Sequence, residues 1–234
     1  MAKALTIEWL DAAAASKAAP ARASFARVLI CDLHDPALAP FRAVAPHAGD
    51  LADLHYPGAS RRSHFIERRL VLRAFAARCA DAAPEDVHIF YDEHGAPRVR
   101  GADVFVSVSS RGGRIALAVA SSPIGVDLER VEDAGPVIED VLGKRERQTL
   151  ERLSGDARAG AFVHIWTAKE AYLKAIGRGF KRDPALVNIN VRANTFTVED
   201  TGFAAELSAG AYLASAEEIV ACAVLPPRVA GTTF

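Results

Sequence analysis

Trp166-Thr167-Ala168-Lys169-Glu170-Ala171-Tyr172-Leu173-Lys174-Ala175-Ile176-Gly177 joins a charged surface to an apolar one and then stops on glycine. Phe162, Ile165, Trp166, Leu173 and Ile176 recur at helical spacing, which predicts a helix from about Asp156 to Ile176 capped by Gly177. Glu170 and Lys174 are i and i+4, side by side on one face of it. Upstream, Ile124-Gly125-Val126-Asp127-Leu128-Glu129-Arg130 begins a strand running to Val131. Its Asp127 and Glu129 project from one face while Leu128 points the other way.

Working outward, Ser121-Ser122-Pro123 precedes that strand and is the place to divide the chain, into residues 1–121 and 122–234. In the second part, short helices are expected near Val137–Leu142 and Lys144–Leu153. Strands are expected at Leu186–Val191, Thr195–Glu199, Phe203–Leu207, Ala211–Ser215 and Glu218–Leu225. In the first part, Ala4–Leu10, Arg27–Leu33, Val87–Tyr91, Asp103–Ser109 and Arg114–Ala120 read as strands. The last two are joined by the glycine-rich turn Ser110-Arg111-Gly112-Gly113. Asp11–Ala23 reads as a helix and connector broken by Pro20, and Pro36–Pro57, rich in proline, as irregular. Ser60–Ala80 is a strong helix. Ser107–Ala120 faintly resembles Tyr212–Leu225, which suggests two related α+β halves, and a site between such halves would draw residues from both.

The chain has 234 residues, half of them apolar, with a net charge of -1, ample for a core and no reason to expect a nucleic-acid partner. Cys31, Cys79 and Cys222 stand far apart without metal-ligand spacing and read as buried thiols of a reducing compartment. With no signal-peptide pattern and no apolar run long enough to span a bilayer, a soluble, cytoplasmic protein is expected.

Several side chains have two readings. Arg61, Arg62, Arg68, Arg69, Arg73 and Arg78 supply the polar side of the first long helix, and of these Arg62, Arg69 and Arg73 share a face. They form either a solvated surface or an anion-binding cluster, since guanidinium forks suit phosphate. Ser107 and Ser109 share a strand face that either meets solvent or hydrogen-bonds a ligand's phosphate. Asp127 and Glu129 mark either an exposed edge strand or oxygen ligands for a hard cation such as Mg²⁺. Glu170 with Lys174 is either a surface ion pair, worth a few tenths of a kcal/mol, or a third carboxylate and a lysine for chemistry at a diphosphate. The isolated histidines His47 and His55 are read as loop residues without a role.

Taken together, I-G-V-D-L-E-R and W-T-A-K-E-A-Y-L-K-A-I-G resemble the motifs of the 4′-phosphopantetheinyl transferases, in particular the two-halved, surfactin-synthetase-activating type. The likeness extends through E-R-R-L-V-L-R, H-G-A-P-R-V, V-F-V-S-V-S-S-R and V-L-G-K-R-E-R. It implies a pseudo-twofold α+β fold, monomeric by default, with coenzyme A and Mg²⁺ in the cleft between the halves. It further implies transfer of phosphopantetheine to a serine of an acyl or peptidyl carrier protein, with release of 3′,5′-ADP. Asp127, Glu129 and Glu170 match the metal-binding acids, Glu170 also matches the general base, and Lys174 matches the lysine at the diphosphate. Ser107 and Ser109 fall on the strand that reaches the coenzyme's phosphates. The chain departs from the pattern twice, with Val108 where the family has histidine and Ala96 where it has a basic residue. Each departure removes a contact of about 1.5–3 kcal/mol, which Arg98, Arg111, or Arg61, Arg62 and Arg69 would have to replace. An active enzyme is the leading expectation, and a degenerate relative that binds coenzyme A or carrier protein without catalysis is the alternative. A purely structural two-halved domain would make both motifs a coincidence.

Overall fold

The computed structural model describes residues 5–21, 24–51, 59–133, 136–202 and 207–227. In chain order the first part contains β1 (Ile7–Leu10), α1 (Ala12–Lys17), β2 (Ala26–Asp32), α2 (Ala39–Arg42), α3 (Ala48–Leu51), α4 (Ala59–Ala80), β3 (His88–Tyr91), β4 (Pro97–Arg100), β5 (Phe105–Arg111) and β6 (Arg114–Ala120). Then come β7 (Ile124–Arg130), α5 (Lys144–Leu150), α6 (Gly155–Ala175), β8 (Val187–Arg192), β9 (Thr195–Asp200), β10 (Ala209–Ala214) and β11 (Glu218–Val224).

One sheet runs β1-β2-β6-β5 and the other β7-β11-β10-β9-β8, while β3 and β4 form a separate hairpin. The path β2–α4–β3–β4–β5–β6 recurs as β7–α6–β8–β9–β10–β11. In each case the opening strand lies antiparallel to the closing one, and the last two strands form a hairpin. The faint sequence likeness falls on these two equivalent hairpins, so the α+β reading in two related halves holds. The β5–β6 turn places Gly112 and Gly113 at φ +55° and +89°, the left-handed pair that a two-residue hairpin needs.

Strand periodicity sets the layers. Ile115, Leu117 and Val119 of β6 face a core shared with Val71, Leu72 and Phe75 of α4. The alternate residues Ala116, Ala118 and Ala120 face the other sheet, where they meet Val126 and Leu128 of β7 and Val220 and Cys222 of β11. On the far side of that sheet, Ile219 and Ala221 pack with Phe162, Ile165 and Leu173 of α6. The order is helix, sheet, sheet, helix. Each large apolar side chain buried in these layers contributes about 1.5–3 kcal/mol. Alanines on β6 opposite larger residues on β7 and β11 suit the close approach of the sheets.

Four expectations need adjustment. Pro36–Pro57 is not wholly irregular: a 3-10 turn at Pro36–Leu38, capped by the Asp35 carboxylate, leads into α2 and α3. His55 lies outside the described residues. β4 was not expected and forms because it pairs with β3 across the His94-Gly95 turn. Of the strand expected at Phe203–Leu207, residues 203–206 lie outside the described residues, and described Leu207 is in no strand. The arginines of α4 do not form one solvated or ligand-binding face. Arg69 and Arg73 are 2% and 1% exposed, because α2, α3 and β3 cover that side of the helix. Arg73 bonds Pro84 O at 2.7 Å and Ala45 O, and pairs with Asp50 at 3.2 Å. Arg69 donates to Asp50 O and Ile89 O and lies over the rings of Phe65 and Tyr91.

Among the described residues no helix is long and apolar enough to cross a membrane. Cys31, Cys79 and Cys222 are free and buried. Burial pushes the Cys31 and Cys79 thiols up to about 12 and about 11, Cys79 despite the opposing pull of Arg27, and raises Cys222 as well. Thiolate is the reactive form. All three cysteines are therefore expected to resist a thiol reagent at neutral pH in the native protein and to react in urea. Rapid labelling without denaturant would show that these layers are open.

Candidate active site

β7 ends its sheet and, among the described residues, pairs with β11 alone. Val126 and Leu128 point into the core between the sheets, so Gly125, Asp127 and Glu129 alternate to the opposite face, where α6 lies. A Cβ built on Gly125 would overlap Ala171 O and come within 2.5 Å of Ala175 N. Glycine is what lets the helix backbone rest directly on the strand. At that depth Lys174 Nζ reaches Asp127 Oδ1 at 2.7 Å and Val126 O at 3.2 Å. The lysine thus pairs with Asp127 rather than with its i-4 neighbour Glu170. Gly177, at φ +69°, caps the helix, with Arg178 N–H returning to Leu173 O at 3.2 Å.

The first half supplies the other donors. Ser107 Oγ accepts from Val126 N–H at 3.1 Å, and Ser109 Oγ donates to Asp127 Oδ1 at 2.9 Å. Arg111 donates to Glu129 Oε2 through Nε at 3.0 Å and through Nη2. Asp127 Oδ2 and Glu170 Oε1 are buried and, among the described residues, have no hydrogen-bond partner. Burial, and then the charge of Asp127, pushes the Glu170 carboxyl up to about 7 against the pull of Lys174. Burial also raises Glu129, more than its bonds from Arg111 lower it.

The three acids share one region, yet they do not form a preassembled ligand cluster. Among the described residues no group of three His, Cys, Asp or Glu is arranged to hold a metal ion. Arg111 engages Glu129, while Asp127 and Glu170 keep orphaned oxygens. Two buried carboxylate oxygens without donors fit a hard divalent cation.

Beside them lies a cleft of about 450 Å³ lined by both halves, including Tyr91, Ala96, Arg98, Ser107, Val108 and Lys174. Both positions that depart from the resembled pattern, Ala96 and Val108, line it. Arg98 is held by Asp92 at 2.6 Å, and Lys181 meets His94 Nδ1 at 2.8 Å, tying the β3–β4 hairpin to the segment after α6. The α4 arginines are placed elsewhere. Arg69 is buried as described, Arg62 is exposed, and the side chain of Arg61 lies outside the described residues. Neither Arg62 nor Arg69 lines the cleft.

Residues 123–223 match the family model described as the 4′-phosphopantetheinyl transferase superfamily. That match covers the β7-to-β11 part of the chain. The chain is similar to slr0495 of Synechocystis, a protein carrying the transferase name, with 31% identity over 65% of each chain. It is also similar to the 4′-phosphopantetheinyl transferase gsp of Aneurinibacillus migulanus, with 26% identity over 47% of this chain and 46% of that one. The chain thus spans less than two thirds of the length of these relatives. A solved holo-(acyl-carrier-protein) synthase of Bacillus anthracis, in complex with CoA (3′,5′-ADP), aligns over 46% of this chain and 97% of its own, at 21% identity and a TM-score of 0.41.

One buried ion pair in the β7-to-β11 part of the chain was not evident from the sequence. Lys169, next to Glu170, turns the other way and is wholly buried, 2.7 Å from Glu146 Oε2 and 2.8 Å from Pro184 O, with Val187 O as a further acceptor. Glu146 in turn accepts from Gly143 N–H and Ile189 N–H, both at 2.8 Å. The pair pins α6 to α5 and β8. The only sequence signal is Glu146 within V-L-G-K-R-E-R, with nothing to say that Lys169 is its partner.

Two substitutions test this geometry. Lys169→Met should cost about 3–5 kcal/mol in urea unfolding, because it leaves Glu146 buried without its cation. Adding Glu146→Gln should return part of that loss, and a Lys169→Met variant of unchanged stability would show that the pair does not hold α6. Gly125→Ala should cost about 1–3 kcal/mol by forcing α6 off β7, whereas an unchanged urea midpoint would mean that the helix does not rest on the strand.

Proposed function

We propose that the protein transfers the 4′-phosphopantetheine group of coenzyme A to a serine of an acyl or peptidyl carrier protein, releasing 3′,5′-ADP, with Mg²⁺ as cofactor. The observation that carries this reading is the edge of the cleft, where Lys174 and Asp127 meet and Asp127 and Glu170 keep unpartnered buried oxygens. The match of residues 123–223 to the superfamily model supports the choice of substrates. Asp127 and Glu170 would hold the cation, joined by Glu129 once Arg111 releases it. Bound there, the cation would neutralise charge on the diphosphate and make phosphorus more electrophilic.

The other roles fall to the chain's own groups. Lys174, 28% exposed, offers its remaining donor capacity to a diphosphate in the cleft. Glu170, with a buried carboxylate oxygen at the edge of the cleft, suits a base that takes the proton of the carrier serine as the serine oxygen bonds to phosphorus and the phosphorus–oxygen bond to 3′,5′-ADP breaks. Arg98, in the cleft, and Lys181, beside His94, are the cations best placed to offset Val108 and Ala96. Residues 1–121 act as the coenzyme-binding half and residues 122–234 as the catalytic half of a cytoplasmic monomer.

Incubation with coenzyme A, Mg²⁺ and several apo carrier proteins should add the phosphopantetheine mass to at least one carrier. Asp127→Ala and Glu170→Ala should each lower the rate by roughly 100-fold or more with an unchanged circular-dichroism spectrum. Coenzyme binding without any mass gain, at high enzyme concentration, would point instead to a non-catalytic binder.

A further inference from the structure

Ser107, Ser109 and Arg111 occupy alternate positions of β5, and each bonds a group of β7: the Val126 N–H, the Asp127 carboxylate and the Glu129 carboxylate in turn. The resemblance would put the serines of this strand at the coenzyme's phosphates, but for Ser109 the geometry points elsewhere. We propose that Ser109 is a positioning residue that, with Lys174, holds one oxygen of the Asp127 carboxylate and so aims the other at the divalent cation, an inference that rests on the metal-assisted reading above.

Asp127 is 4% exposed, so water does not compete for its carboxylate. Oδ1 receives both available donors, the Ser109 hydroxyl at 2.9 Å and the Lys174 ammonium at 2.7 Å. The carboxylate plane is thereby held in one orientation, because tilting it away would break both bonds, one of them charge-assisted. Oδ2 is left buried without a partner, an arrangement costly on its own and relieved by a cation. Ser109 does not line the 450 Å³ cleft, whereas its neighbours Ser107 and Val108 do. The hydroxyl belongs to the first half and the acid to the second, so the cation site is complete only when β5 is seated against β7.

The test uses Ser109→Ala and Ser109→Thr in the full chain, with Mn²⁺ binding followed by electron paramagnetic resonance and coenzyme A binding in EDTA by calorimetry. Ser109→Ala should weaken Mn²⁺ about tenfold and leave coenzyme A affinity in EDTA unchanged, and Ser109→Thr, which keeps the hydroxyl, should restore Mn²⁺ affinity. If Ser109→Ala weakens coenzyme A in EDTA and spares Mn²⁺, Ser109 is a phosphate contact and the proposal falls. Equal losses of both ligands, unrescued by threonine, would mark a merely structural residue and also overturn it. Mn²⁺ binding that is the same in wild type and Ser109→Ala removes this proposal alone. A wild-type protein that binds no Mn²⁺ removes the metal reading and the proposal with it.

Discussion

The contact on which the rest of the molecule depends is the one between Lys174 and Asp127, 2.7 Å across the interface of α6 and β7. It requires the helix to lie on the strand without an intervening side chain, which Gly125 permits. An aspartate as buried as Asp127 is costly unless an opposite charge and hydrogen bonds accompany it. Here the ammonium, the Ser109 hydroxyl and the strand's own alternation arrive together. The result is a carboxylate with one oxygen saturated and the other bare, beside a second bare oxygen on Glu170.

The two halves share one topology and meet along a seam between β5, β6 and the second sheet. Strand β5 turns its polar alternate residues toward β7, while β6 turns its alanines toward the same sheet. Packing of apolar side chains sets the distance between the halves, and hydroxyls and Arg111 then bridge it. The cleft opens beside that seam, where the β3–β4 hairpin of one half meets the end of α6 from the other. Buried charge also serves structure alone. Arg69 and Arg73 hold the segment containing α2 and α3 against α4, and Lys169 with Glu146 holds α6 to its own half.

Long, strongly periodic elements were legible in the chain. α4, α6, β6, β7 and β11 appear close to where their apolar spacing puts them, and the repeat was visible in the two final hairpins. β4 was not legible, because Pro97-Arg98-Val99-Arg100 is only four residues long, opens on proline and exists as a strand through its partner β3. Nor was the fate of the α4 arginines, since periodicity identifies a helix face but not what later covers it. Lys169 and Glu170 are neighbours in sequence, yet one is a wholly buried anchor and the other faces Asp127, a difference of about 100° around the helix.

The sequence by itself determined the motifs, the periods and the pairing of D-x-E with a lysine four residues beyond a glutamate. From these came the α+β halves and the side chains that converge on one region. Only the tertiary structure decided that Lys174 pairs with Asp127 and not Glu170, that Arg111 engages Glu129, and that Ser109 serves an acid rather than lining the cleft. The reason is physical. Periods of 2 and 3.6 specify direction around one element, whereas these contacts depend on how deeply two elements pack, and Gly125 sets that depth through the backbone of α6.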